Sequence, residues 1–295
     1  MKNIFTAILT LLLPLLIVAQ NSVSVKPTTA KMSKGTNPGF ETEIPYANIK
    51  DVEKDWKHRL TAGSKAKQSE ANGEIAVKGI DNKLVSSQPY NVYCILTATN
   101  TGVKLNAWFT YNDTVFFTPG KSDNTAAQRF VQDFANGEYF LAVKASYKKE
   151  RDKLEKLKDD VEKYTKDQER AALKISDSKR AIVRAQEDIV TNEDDQKEST
   201  TAIALQQAEL VKARDDNAEI YKTADKTLKD EQDAKKKLQD KNAELHKKID
   251  ALNKDIANEE KNIANEKQLQ DKTMDAIENQ KLLVAGLSAK LKAIR

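Results

Sequence analysis

The chain is 295 residues long, 32% charged and only 6% aromatic, with a net charge of +4. So many charges and so few rings exclude a single compact body with an ordinary core, and favour a long helical part. Lys and Arg interleave with Asp and Glu, so no basic face for nucleic acid is expected.

The first twenty residues read "MKNIFTAILTLLLPLLIVAQ". Lys2 supplies a positive start, and Ile4 to Val18 form an apolar run. Ile17 and Ala19 take the −3 and −1 positions of a cleavage site before Gln20. The expectation is a secretory signal peptide over residues 1–20 and an exported, periplasmic or secreted, protein. The run is shorter than the roughly 20 apolar residues that a spanning helix needs, so no transmembrane segment is expected after cleavage. The single cysteine, Cys94, excludes an internal disulfide and reads as a small buried hydrophobe in the alternating run "NVYCILTAT".

Residues 21–38 are rich in Ser, Thr, Pro, Gly and Lys and lack periodicity, which predicts a flexible leader. Residues 39–141 then read as a small α+β domain. "FETEIPYA" opens it as a strand. Asn48 caps a helix carrying Ile49, Val52, Trp56 and Leu60 at helical spacing. A polar loop, "TAGSKAKQSEAN", precedes a strand in "GEIAVKGI". The clearest strands are "NVYCILTAT" and "VKLNAWFTY", joined by the hairpin signal "NTG". Val103, Leu105, Ala107, Phe109 and Tyr111 share one face of the second. Trp108 lies on the other face, either under a helix or exposed. "NTAAQRFVQDFANG" predicts a helix ended by Gly137, and "EYFLAVK" fits either a final strand or the first turns of the long helical region.

Residues 142–295 contain one glycine, Gly286, and no proline. Good helix formers dominate, and apolar residues recur by three and four. One seam includes Leu154, Val161, Ile175, Ile182 and Ile189. A second includes Leu245, Ile249, Leu252, Ile256, Ile263, Ile277, Val284 and Leu291. The register slips by four residues between them, as a stutter or a chain reversal requires. A strict seven-residue period is useful only where the seam faces another helix. Glu259, Glu266, Thr273 and Gln280 occupy the other seam position of the second set. In a parallel dimer each acid would face its own copy, so an antiparallel hairpin within one chain is preferred over a continuous rod or three helices. "TNEDDQKESTT", residues 191–201, is the expected reversal, because its Asp, Asn, Ser and Thr can cap helix ends.

The sequence carries no Gly-rich phosphate loop, no His-Glu-x-x-His and no Cys-x-x-Cys. His58 and His246 have no neighbours that suggest a dyad. No catalytic residue, cofactor or metal is expected. The plan loosely resembles envelope adaptor proteins and periplasmic holdase chaperones; the resemblance covers architecture only and carries over no residues. The expected function is an exported, non-enzymatic coiled-coil protein that scaffolds or adapts in the cell envelope. A protein partner or self-association through the coiled coil is expected, with weak envelope-surface contact as an accessory. The alternative is a head domain that binds a small molecule or glycan on Trp108, Tyr90, Tyr93 and Tyr111, with the helices as a stalk. A holdase-like chaperone is the more remote alternative.

Overall fold

A computed structural model describes residues 23–213 and 218–294; the expected signal peptide lies outside them. The chain divides into two compact units. One holds the chain through Leu154 together with the stretch from Asn279, and the other is Glu155–Glu278.

The first unit is built on a seven-stranded antiparallel sheet. Its strands are β1 (Lys26–Met32), β2 (Gly35–Pro45), β3 (Lys67–Ala71), β4 (Glu74–Ile80), β5 (Tyr90–Ala98), β6 (Gly102–Asn112) and β7 (Val115–Phe116). The order across the sheet is β1-β2-β6-β5-β4-β3, with β7 pairing β6. Helix α1 (Ile49–Thr61) begins at Asn48, whose Oδ1 accepts from the Lys50 amide at 2.9 Å. Helix α2 (Ser122–Ala213) contributes its first turns to this unit.

The core lies on the sheet face that carries Val103, Leu105, Ala107 and Phe109. Val52, Trp56 and Leu60 of α1 and Ala127, Val131, Phe134, Ala135, Tyr139 and Val143 of α2 are buried with them. Trp56 packs 4.7 Å from Phe134 between ring centroids. Helix α3 (Ala218–Ile294) ends on the same core, with Leu287 buried and Leu291 and Ile294 packed beside it. Each large side chain buried here stabilises the fold by roughly 1.5–3 kcal/mol before entropy is counted.

The flexible leader is not what residues 23–38 form. They hold a β-hairpin edge, β1 with the start of β2, turned at Gly35 with φ +99°. Val23 and Val25 are buried. Their backbone is held by the side-chain amides of α2: Asn136 accepts from Val23 N at 3.0 Å, Gln132 accepts from Val25 N at 3.1 Å, and Gln128 donates to Val25 O at 3.1 Å. The polar loop after α1 likewise contains β3, an edge strand exposed at every residue. Both edges gain their order from backbone pairing, which leaves no hydrophobic alternation in the sequence.

Gly137 does not end a helix either; α2 passes through it unbroken, and "EYFLAVK" is helical. A glycine inside a helix costs about 1 kcal/mol relative to alanine. The apolar stripe on both sides of Gly137 offsets that cost.

The second unit is an antiparallel pair of helices, the α2 segment from Glu155 and the α3 segment to Glu278. As the α2 partner advances from Thr165 through Lys174 to Asn192, the α3 partner retreats from Gln270 through Glu259 to Asn242. Every position of the three-four alternation from Leu157 to Leu210, and from Ala224 to Ile277, is at least partly covered, whereas most intervening positions are exposed. That is a continuous two-helix seam.

The expected reversal at residues 191–201 is wrong, because α2 continues through them to Ala213, and the antiparallel arm is α3, which begins at Ala218. Asn192, read as a capping residue, is instead 3% exposed, and its amide donates to Asn242 Oδ1 at 2.8 Å. A polar residue inside a seam is ambiguous in sequence between a cap and a cross-helix pair. The continuous rod falls because the two arms pair antiparallel, and the three-helix arrangement falls because α3 runs without a break from Ala218 to Ile294.

Candidate functional site

The four aromatic residues expected to form a ligand platform do not converge. Tyr90 is fully buried in the main core, where its ring lies 6.0 Å from Phe109. Tyr111 packs on the same side, 4.7 Å from Phe117, and donates its hydroxyl to Asp123 at 2.8 Å. Tyr93 and Trp108 lie on the opposite sheet face, in a small cluster with Met32 and Ala76. Trp108 is 1% exposed, and among the described residues the cluster that covers it holds no helical side chain. Its indole settles over Gly39, where an added Cβ would come within 2.6 Å of the ring, and donates to Asn37 O at 3.2 Å. Three of the four rings are buried and the set is split between two faces, so no exposed stacking surface is formed for a glycan.

Beside Tyr93 sits a fully occupied carboxylate. Asp113 accepts from Lys78 Nζ at 2.6 Å, from the Tyr93 hydroxyl at 2.6 Å and from Asn91 Nδ2 at 3.1 Å, with Lys34 Nζ 3.7 Å away. The hydrogen bond from Lys78, then that from Tyr93, pulls its pKa down to about 2. With its oxygens already engaged, Asp113 ties β4, β5 and the β6–β7 turn together and is a poor acid or base for chemistry.

The buried thiol is equally unsuited. Desolvation pushes Cys94 up to about 12, so it carries no thiolate near neutrality.

A groove of about 410 Å³ lies between α1 and α2 within the first unit. Asp51 and Asp55, one helical turn apart on α1, and Glu138 on α2 line it, with Leu141, Ala142 and Ala145 as its apolar wall. Glu138 is 8% exposed and has no hydrogen-bond or ion-pair partner among the described residues. Burial first, and then Asp55 and Asp51, push its pKa up to about 7, while Arg59 opposes the shift. Tyr46 stands at one end of the groove with a left-handed backbone, φ +63°. Lys290 Nζ donates to its hydroxyl at 2.5 Å, and its ring stacks 6.5 Å from Tyr139. Sequence reading missed Glu138. The signal was present: it lies seven residues after Val131 and four after Phe134, on the stripe that α2 buries.

The seam of the helical unit is where the expected residues do come together. Ile189 and Ile277 are buried, and Val161, Ile175, Ile182, Leu245, Ile249, Leu252, Ile256 and Ile263 are half-buried. In the first unit, Leu154 is buried and Val284 and Leu291 are half-buried. Polar layers interrupt the seam. Asn192 pairs with Asn242, and Lys241 Nζ donates to Asn192 Oδ1 at 3.3 Å. Gln168 donates to Gln270 Oε1 at 3.1 Å, and Gln270 donates to Thr165 Oγ1 at 2.9 Å. Glu259 receives Lys174 Nζ at 2.9 Å, and that bond first, then Asn262, lowers its pKa. The acid that would have met its own copy in a parallel dimer therefore meets a lysine of the other arm.

Among the described residues no helix is long and apolar enough to cross a membrane. No family model matches the chain, and no curated protein matches it.

Proposed function

We propose that the protein is an exported structural or adaptor element of the cell envelope, working through its helical hairpin rather than through catalysis. The observation that carries this reading is the continuous seam on both helices of the second unit, with cross-helix polar pairs such as Asn192–Asn242 and Gln168–Gln270 within it. A long paired helix surface is a device for spacing and for contact, and it offers no enclosed site for a reaction. Export rests on the apolar run and cleavage pattern at the start of the chain.

A protein partner or a second copy is the expected contact. Leu205 and Val211 near the end of α2 and Ile220 near the start of α3 are mostly exposed. Clustered apolar exposure of this kind marks surfaces that meet another protein. Asp and Glu are interleaved with the exposed lysines of both arms, which limits envelope-surface contact to a weak accessory.

Two measurements on the full chain test the proposal. Fractionation of expressing cells should find the protein outside the cytoplasm and shortened at its N-terminus. In-cell crosslinking should yield a discrete adduct that disappears when Leu205, Val211 and Ile220 are replaced by serine. Retention in the cytoplasm, or clear turnover in a broad hydrolase screen of the purified protein, would overturn it.

A further inference from the structure

Glu138 poses a question that the structural role does not answer. A largely buried carboxylate without a hydrogen-bond partner is costly, and α2 carries this one on its buried stripe. Arg59 of α1 is the cation that bears on it, yet it makes no hydrogen bond or ion pair with Glu138, and the same stripe of α2 is otherwise apolar or aromatic, with Val131, Phe134, Ala135 and Tyr139. The side chain opens onto the groove that Asp51 and Asp55 also line. Three carboxylates thus face one cavity of about 410 Å³, and the most buried of them is unpartnered among the described residues.

We infer that this groove binds an alkylammonium ligand, with its nitrogen received by Glu138 in the field of Asp51 and Asp55 and its methylenes lying along Leu141 and Ala142. An ammonium has three donors and no acceptor, so one carboxylate and water satisfy it while the two further acids attract it at longer range. A bare metal ion needs its oxygens closer together, and among the described residues no group of three His, Cys, Asp or Glu side chains is placed to hold one. The apolar wall adds the specificity that a simple inorganic cation would not use. Lys54 and Lys149 also line the groove and are exposed. They disfavour a dense polycation and so select a ligand with one ammonium at the acidic end.

Binding is coupled to protons. The groups that bear on Glu138 are Asp51, Asp55 and Arg59 of α1, with Lys54 and Lys149 lining the same groove. Near neutrality Glu138 is partly protonated, and an incoming cation favours its ionised form. The ligand therefore binds more tightly as pH rises from 6 to 8, and releases a proton as it binds at the lower pH.

The test is titration calorimetry of the full chain with butylammonium, with 1-butanol and Ca²⁺ as comparisons. Saturable one-to-one binding at pH 8 is expected, several-fold and up to about tenfold weaker at pH 6. At pH 6.5 the heat should vary with the ionisation enthalpy of the buffer. Glu138→Gln should weaken binding tenfold or more, and Asp55→Asn several-fold, with thermal melting used to confirm that each variant is folded. Should one variant fail to fold, the other decides. No saturable binding at pH 8, equal affinity in the folded variants, equal binding of 1-butanol, or tighter Glu138-dependent binding of Ca²⁺ would each overturn the inference.

Discussion

The two units hold themselves together by different means. In the α+β unit, large side chains such as Trp56, Tyr90, Phe109 and Leu105 interlock with no exposure above 1%. In the helical unit most seam residues are only half covered, and Asn, Gln and Glu side chains occupy several layers. A dense core sets its structure by shape, since few other arrangements fill the same space. A thin seam can slide by a heptad at small cost in apolar contact, and its paired polar residues then decide the register. Defects should therefore be severe and local to stability in the first unit, and milder but register-changing in the second.

The largest effect should come from the core. Phe109→Asp combines a cavity with a buried charge, and should cost about 4 kcal/mol or more in denaturant unfolding of the full chain. A change under about 1 kcal/mol would mean that β6 is not the central packing strand.

Glu138 should give the next effect, read as a pH profile. Its carboxyl is raised in the folded state to about 7 from an ordinary value of 4.5. The native state therefore holds the proton more tightly than the unfolded chain does. Stability from this group is fullest below pH 4.5 and is lost as pH climbs to 7, by on the order of 2–3 kcal/mol. Glu138→Gln should flatten that part of the profile and leave the variant more stable than the parent at pH 8. An unchanged slope between pH 5 and 7 would place the titration elsewhere.

In the seam, Asn192→Ala strands the Asn242 amide and should cost about 1–3 kcal/mol. Replacing both with leucine should restore or raise the melting temperature while loosening register, visible as a broader distribution of inter-arm distances. A double variant with one sharp distance would remove the register role from the pair. The smallest effect belongs to Lys174→Ala. Its bond to Glu259 is solvent-exposed on the lysine side, so a drop in melting temperature close to the scatter of the measurement is expected, shrinking further in high salt.

Legibility in the sequence divides along the same line. Alternation marks β5 and β6, and the Asn48 cap marks α1, because each leaves a local chemical trace. The three-four alternation reveals both seams, and the mismatch of Glu259 with its own copy reveals the antiparallel sense. The edges β1 and β3 leave no such trace. Backbone pairing orders them both, and the amides of Gln128, Gln132 and Asn136 hold the approach to β1 from a distance in sequence. Asn192 misleads because a cap and a cross-helix pair use the same residue. The burial of Trp108 depends on the missing side chain of Gly39, a neighbour across the sheet that a linear reading does not supply. The groove beside Glu138 needs two helices brought together, and only the misplaced acid on an apolar stripe hints at it.

The central claim is that the two arms pair within one chain in the register set by Asn192 and Asn242. Spin labels at Lys174→Cys and Glu259→Cys test it most directly, since Cys94 is buried and should stay unlabelled. With helix axes about 8–10 Å apart, the labels should sit within roughly 20 Å of one another. That distance should persist unchanged when labelled chains are diluted into a large excess of unlabelled ones. A distance that vanishes on dilution would show that the arms pair between chains, and would contradict the hairpin.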